Sequence, residues 1–238
     1  MIAIDGMTVK FGGVTALSDV SVTLDAPVVG IIGPNGAGKT TFLNVFSGFI
    51  RPRAGSITAF DTDLLKMAPY LRARWGLRRS FQMEQVVDDL TVEDNVRVIL
   101  DPLGLGARER DHAVAAALDF TGIAALRSAA TAELNSFQRR MTELARCAVG
   151  SPRILLLDEP GAGFAEAETA HLREVITGMH DFNGAMTLLI DHDVDLIQTT
   201  CPMTMVLDFG SLIAFGATDD VLRNDRVRAV YLGVEEIR

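Results

Sequence analysis

Positive charge is the scarcer sign in this 238-residue chain: 22 Lys+Arg stand against 31 Asp+Glu, a formal net charge of −9. A general nucleic-acid binder depends on phosphate-neutralising charge, so no nucleic-acid partner is expected. Cysteine is almost absent. Cys147 and Cys201 are too few and too isolated for a disulfide scaffold or a Cys-ligated zinc site, and they fit a reducing compartment. No apolar run approaches the ~18–20 residues of a membrane span. The opening Met1-Ile2-Ala3-Ile4-Asp5 lacks a basic n-region, so no secretory signal is expected. Internal repeats, low-complexity tracts and Pro/Gly/Ser linkers are also missing.

What the chain does have is apolar residues, 48% of the total, and a mean hydropathy of +0.24. This length can bury roughly 70–75% of the unfolded surface, a sizeable core without staples. The expectation is a cytosolic protein that docks on something apolar. Local basic groups (Arg72, Arg74, Arg78, Arg79; Arg139, Arg140) read as a solvated face.

Strand and helix signals alternate, which predicts α/β layers. Alternation marks strands at Met7–Phe11 and Val20–Leu24, short apolar runs mark buried strands at Val28–Ile32 and Ile154–Leu157, and Met186–Ile190 reads as a strand. Gly55–Phe60 reads as a further strand. Helical patterns run over about Lys39–Ser47, closed by Gly48, and over Ala68–Trp75, Val92–Leu100, Asp111–Phe120, Phe137–Val149, Glu166–His180 and Val194–Thr200. Met203–Leu207 and Leu212–Ala214 flank a turn at Asp208-Phe209-Gly210-Ser211, a late hairpin. A mainly parallel core at both ends thus encloses a helical insertion, roughly Asp88–Asn135.

Gly33-Pro34-Asn35-Gly36-Ala37-Gly38-Lys39-Thr40 fits G-x-x-x-x-G-K-[ST] between a buried strand and a helix, the context this motif requires. Glycines let backbone N–H groups turn around phosphate oxygens, and the helix N-terminus faces the anion. Lys39 is expected to reach the β- and γ-phosphates and Thr40 to ligate Mg²⁺. A net charge of −9 repels nucleotide at long range, so attraction must be local. Ile154-Leu155-Leu156-Leu157-Asp158-Glu159 is a buried strand ending in two acids at the sheet edge where ligands sit. Asp158 would orient the metal and Glu159 would act as general base on water. His192, between Asp191 and Asp193 after another strand, can reach a γ-phosphate there, although a lone His is more often structural. Gln82 is placed to bridge Mg²⁺ and the helical insertion.

From Phe11 to Leu232 these residues resemble the ATP-binding subunit of an ATP-binding cassette (ABC) transporter. The resemblance puts Phe11 in the place of the adenine-stacking aromatic, Gly33–Thr41 (including Thr41) as the Walker A phosphate loop, Gln82 as the Q-loop, Leu134–Gln138 as the signature, Asp158-Glu159-Pro160 as Walker B and His192 as the switch histidine. Asp208-Phe209-Gly210 and the closing Val227-Arg228-Ala229-Val230-Tyr231-Leu232-Gly233 are also similar to the family. Lys10–Leu17, Ser47-Gly48-Phe49, Arg79-Ser80-Phe81-Gln82 and Leu189–Asp193 are similar to subunits that serve branched-chain amino acid importers and their urea and amide relatives.

The resemblance implies one nucleotide-binding domain over 1–238, with a P-loop (RecA-like) core of about 1–87 and 150–238, antiparallel strands at its N-terminus and a helical subdomain of about 88–149. It implies ATP and Mg²⁺, a second cassette subunit bound head to tail, transmembrane permease subunits, and indirectly an extracytoplasmic solute-binding protein. Residues around Gln82–Asp89 (Met83, Val86, Val87) would form the apolar floor of a docking groove, placing the chain at the cytoplasmic face of the membrane. Two departures stand out. The signature, close to Leu-Ser-Gly-Gly-Gln in the family, is here Leu134-Asn135-Ser136-Phe137-Gln138, and Ala165 replaces the usual Asp or Asn of the D-loop. Asn135 can still donate a hydrogen bond, whereas Phe137 puts a benzyl group where close backbone approach is wanted. Losing one preorganised donor costs roughly 10²–10³ in rate, so the expected assembly is an asymmetric heterodimer. The alternatives are a soluble cassette ATPase acting on ribosomes or DNA, or a binding-only regulatory subunit. The missing second cassette, coiled coil and basic surface argue against the first, and Glu159 argues against the second.

Overall fold

The computed structural model of the chain describes residues 1–232. In chain order it forms β1 (Ile2–Phe11), β2 (Val14–Leu24), β3 (Val28–Ile32), α1 (Lys39–Ser47), β4 (Ala54–Ala59), β5 (Thr62–Asp63) and α2 (Pro69–Trp75). There follow β6 (Leu77–Arg79), α3 (Val92–Arg97), α4 (Ala107–Phe120), α5 (Ser136–Ala148), β7 (Ile154–Asp158) and α6 (Glu166–Asn183). The last elements are β8 (Met186–Ile190), α7 (Val194–Thr200), β9 (Met203–Asp208), β10 (Ser211–Ala217), α8 (Thr218–Arg223) and α9 (Asp225–Val227), with a π-helical turn over Arg228–Leu232 closing the described chain. Of the expected closing segment 227–233, Gly233 lies outside the described residues. The chain divides into two compact units, one of residues 1–73 with 188 onward, the other of residues 74–187.

In the first unit β2, β1, β4 and β5 make an antiparallel sheet, with Ile2 opposite Leu24 and Ala59, and Ile4 opposite Val22 and Ile57. Ile2, Ile4, Met7 and Val9 bury one face of β1. Both N-terminal strands are longer than their alternation predicts. Register shifts between Ile4 and Lys10, with Gly6 (φ 58) and Asp19 (φ 52) in left-handed backbone, break the period of two partway along. The same unit pairs β3 parallel to β9, and β9 antiparallel to β10, the expected hairpin. All five residues of β3 are buried.

In the second unit β6 runs parallel to β7, with Leu77 opposite Ile154 and Arg79 opposite Leu156. The sequence gives no hint of β6, since three residues carry no period and two of them are arginines. Thr91 caps α3 by accepting from the Asp94 N–H at 3.1 Å. The helix ends at Arg97, short of the expected Leu100, because a tighter 3₁₀ segment holding Pro102 takes over.

The expected solvated basic face is not what forms. Arg72, Arg78 and Arg140 are buried and the Arg79 side chain is 6% exposed, while Arg74 is exposed. Arg72 Nη1 donates to the Val45 and Phe46 carbonyls, each at 2.6 Å, closing the C-terminus of α1. A run of like charges stays in water only when backbone carbonyls and carboxylates offer it nothing better.

Candidate functional site

In the first unit the chain leaves β3 into the loop 33–38. Gly33 (φ 148) could carry no side chain, because a Cβ there would lie 2.0 Å from the Leu207 carbonyl oxygen. Gly38 (φ 103) is confined in the same way, 2.6 Å from the Ala16 oxygen. The loop is tied down by Ala37 N–H to the Pro34 carbonyl at 3.1 Å and by Gly210 N–H to the Ala37 carbonyl at 3.0 Å. Lys39 is 7% exposed and spans the loop, its Nζ donating to the Gly33 carbonyl at 2.6 Å and the Pro34 carbonyl at 3.0 Å. Helix α1 starts on Gly38 with no side-chain cap and no acid in its first turn. Its leading amides and positive dipole end are therefore offered to an anion. Asn35, Gly36 and Thr40 are exposed around it, Pro34 and Thr41 half-buried.

Two other expected residues lie in this unit. Phe11 ends β1 opposite Val14 and is 50% exposed, an aromatic face available for stacking. His192 is exposed after β8, between buried Asp191, whose Oδ1 accepts from Asp193 N–H at 3.0 Å, and Asp193, which caps α7 through the Asp195 and Leu196 amides.

The second unit carries the acids. Asp158 closes β7 at 2% exposure, its N–H donating to Ser80 Oγ at 3.3 Å and its Oδ2 accepting from Arg79 Nη2 at 3.1 Å. The next residue, Glu159, takes a left-handed backbone (φ 51), a strained turn for a non-glycine that breaks the strand after Asp158. Gln82 has an exposed side chain, and its carbonyl accepts from Arg140 Nη2 at 2.7 Å. Arg140 Nη1 donates to the Phe81 carbonyl at 2.7 Å and to Glu143, whose Oε1 in turn accepts from Gln85 N–H at 3.2 Å. Burial pushes the Glu143 carboxyl up from its usual range, against the pull of Arg140. The helix that begins at the signature thus grips the backbone on both sides of Gln82.

The residues expected as the signature form a capping box. Asn135 Oδ1 accepts from Gln138 N–H at 2.8 Å, and Gln138 Oε1 accepts from Asn135 N–H at 3.1 Å. Ser136 is exposed at the first turn of α5. The Phe137 ring lies edge-on to Phe164 (centroids 5.4 Å apart) and to His171 (5.7 Å). Ala165 offers α6 no side-chain cap, and Glu168 reaches back to its N–H at 2.9 Å. Sequence reasoning missed Arg79, Arg140, Glu143, Phe164 and His171. Only the nearness of Arg79 to Gln82, and of Arg140 to Gln138, could have flagged the first two.

A buried parallel strand, a glycine-walled phosphate loop and a lysine drawn across it define a P-loop ATPase. The chain belongs to the ABC transporter family, whose profile matches residues 17–162, and it is the ATP-binding, ATP-hydrolysing subunit type of that family. It is similar to the high-affinity branched-chain amino acid transport ATP-binding protein LivG of Escherichia coli K12, at 32% identity over 98% of each chain. It is equally similar (32%) to the lipopolysaccharide export system ATP-binding protein LptB of the same organism, over 94% of this chain and 93% of that one. A solved ATP-binding cassette of an ABC transporter in its ADP conformation matches with a TM-score of 0.85 and 25% identity, covering 98% and 99% of the two chains. Among the described residues no helix is long and apolar enough to cross a membrane, and no cluster of three or more His, Cys, Asp or Glu could hold a metal.

Proposed function

We propose that this chain powers import of branched-chain amino acids or related small polar solutes, by hydrolysing ATP at the cytoplasmic face of the membrane for separate permease subunits. An extracytoplasmic solute-binding protein would deliver the cargo. The observation that carries the reading is Lys39 held across the Gly33 and Pro34 carbonyls at the uncapped start of α1. That ammonium and the loop amides grip the β- and γ-phosphates, Phe11 stacks on the adenine, and Asn35, Gly36, Ala37, Gly38 and Thr41 line the cradle.

The donor chemistry suits Mg²⁺: the Thr40 hydroxyl, the Asp158 carboxylate and the Gln82 amide all offer hard oxygen, and magnesium is held through one or two carboxylates together with phosphate oxygens and waters. When bound, it neutralises charge developing on the phosphate oxygens. Glu159 orients the attacking water and accepts its proton, and His192 holds the γ-phosphate end of that arrangement.

Asn135, Ser136, Phe137 and Gln138 serve the nucleotide of a second cassette bound head to tail. Phe137 and Ala165 support an asymmetric heterodimer in which the site facing this signature turns over slowly. The helical subdomain of about 88–149 passes motion from Gln82 to the permease, Met83 (77% exposed) and Val87 (48% exposed) offering apolar contact. The equal likeness to LptB favours a second reading on direction, export, with the same ATP chemistry.

The test uses the purified chain and the assembled complex. Lys39→Ala should abolish binding of a fluorescent ATP analogue, and Glu159→Gln should keep binding while removing roughly 10² or more of the ATPase rate. Binding by Lys39→Ala equal to the parent chain would overturn the reading.

A further inference from the structure

The sequence gives Arg79 no role, yet its side chain is 6% exposed and points at the 3% exposed Asp158, with Nη2 3.1 Å from Oδ2. Three contacts fix this geometry. Arg79 leaves β6 opposite Leu156 on β7, the strand that Asp158 closes. The next residue, Ser80, is fully buried, donates its N–H to the Leu156 carbonyl at 2.9 Å and accepts from Asp158 N–H. The guanidinium carbon sits 4.9 Å from the centroid of the Phe81 ring, a cation–π contact at the doorstep of Gln82. Taking an arginine and an aspartate out of water is costly unless geometry repays it, and a guanidinium stays protonated even when burial lowers its pKa, as it does here.

We propose that Arg79 is the resident counter-cation of Asp158, holding the carboxylate in its charged, oriented form, and that the divalent ion arriving with ATP must share or displace it. This rests on the reading of Asp158 as a metal-holding carboxylate. The two cations compete for one carboxylate, so the guanidinium sets a threshold for metal entry. Phe81 steers the guanidinium from one side and its carbonyl is gripped by Arg140, so movement of the Gln82 segment alters that threshold.

Two measurements on the full chain test this. The first is thermal melting without metal or nucleotide for the parent, Arg79→Met, Asp158→Asn and the double variant. Each single variant should melt lower because it takes a close opposite charge from a buried one, and the double should recover most of the loss. The second is Mn²⁺ affinity, read by electron paramagnetic resonance with a non-hydrolysable ATP analogue bound. Arg79→Met should bind Mn²⁺ about tenfold more tightly or better, because the guanidinium no longer competes with the ion for the Asp158 carboxylate. Arg79→Lys keeps the charge and should stay near the parent, which guards against a folding defect in Arg79→Met. In the Asp158→Asn background, removing Arg79 should leave Mn²⁺ affinity unchanged.

Additive melting losses, or Mn²⁺ affinity that is unchanged or weaker in Arg79→Met, would overturn the competition. Were Asp158→Asn itself to bind Mn²⁺ as tightly as the parent, the assignment of Asp158 would fail first and the role of Arg79 with it.

Discussion

The phosphate loop of the first unit and the acidic strand end of the second manage charge by opposite means. The loop uses backbone: glycines whose missing Cβ atoms let carbonyls approach, and one lysine laid over two of them. The second unit uses side chains, pairing buried guanidinium groups with buried carboxylates, Arg79 with Asp158 and Arg140 with Glu143. A backbone device is ruined by added volume. A paired-charge device is ruined by losing one partner, and tolerates losing both.

The largest effect expected from this contrast is at Gly33. Gly33→Ala puts a methyl group 2.0 Å from the Leu207 oxygen, with no flexible atom to yield. It should cost about 3 kcal/mol or more and remove nucleotide binding. Gly36→Ala is the control, since Gly36 also has positive φ (81) but nothing lies within 4 Å of its Cβ position. That change should cost about 1–2 kcal/mol, the left-handed penalty alone. Melting of the two variants checks the difference, and equal losses would mean that conformation, rather than crowding, demands glycine at Gly33.

Next in size is the Arg140 pair. Arg140 is 2% and Glu143 0% exposed, so Arg140→Met takes the nearest cation from a buried carboxylate that keeps the Gln85 N–H and Arg146 at 3.9 Å, and should cost about 3 kcal/mol. Replacing both, Arg140→Met with Glu143→Leu, should recover more than half of that in denaturant unfolding. Recovery is incomplete because the Phe81 and Gln82 carbonyls also lose their donor. A double variant as unstable as the single would dissolve the contrast between the two units.

These differences also explain what could be read from the sequence. The phosphate loop was legible because its chemistry demands glycine at fixed spacing, and β3 and β7 because burial on both faces leaves short apolar runs. Arg72, Arg78, Arg79 and Arg140 were misread because composition shows charge but not the carbonyls and carboxylates awaiting it. β1 and β2 were read short because bulges near Gly6 and Asp19 reset the alternation. Phe137 was legible as a departure from the family pattern. Its packing was not, since Phe164 and His171 come from distant stretches of the chain.

The smallest effect separates buried pairs from half-exposed ones. Glu93, in the first turn of α3, accepts from Arg127, with Nη2 at 2.6 Å, and from Arg97, whose Nη1 also reaches Asp111 on α4 at 2.6 Å. The Arg127 hydrogen bonds come first among the causes that hold its carboxyl at about 2, down from 4.5. A carboxyl whose folded pKa is depressed contributes stability that is fully present above its unfolded pKa and lost as pH falls through the folded one. The contribution should therefore persist at pH 7 and drain away between about 4.5 and 2. Solvent reaches this cluster, so screening limits it to about 1 kcal/mol, well below the Arg140 pair. Glu93→Gln should lower the melting temperature by a few degrees at pH 7, and the gap to the parent should close as pH falls to 2. A gap that stayed constant with pH would assign the loss to packing, and the ranking of buried over exposed pairs would then lack its lower end.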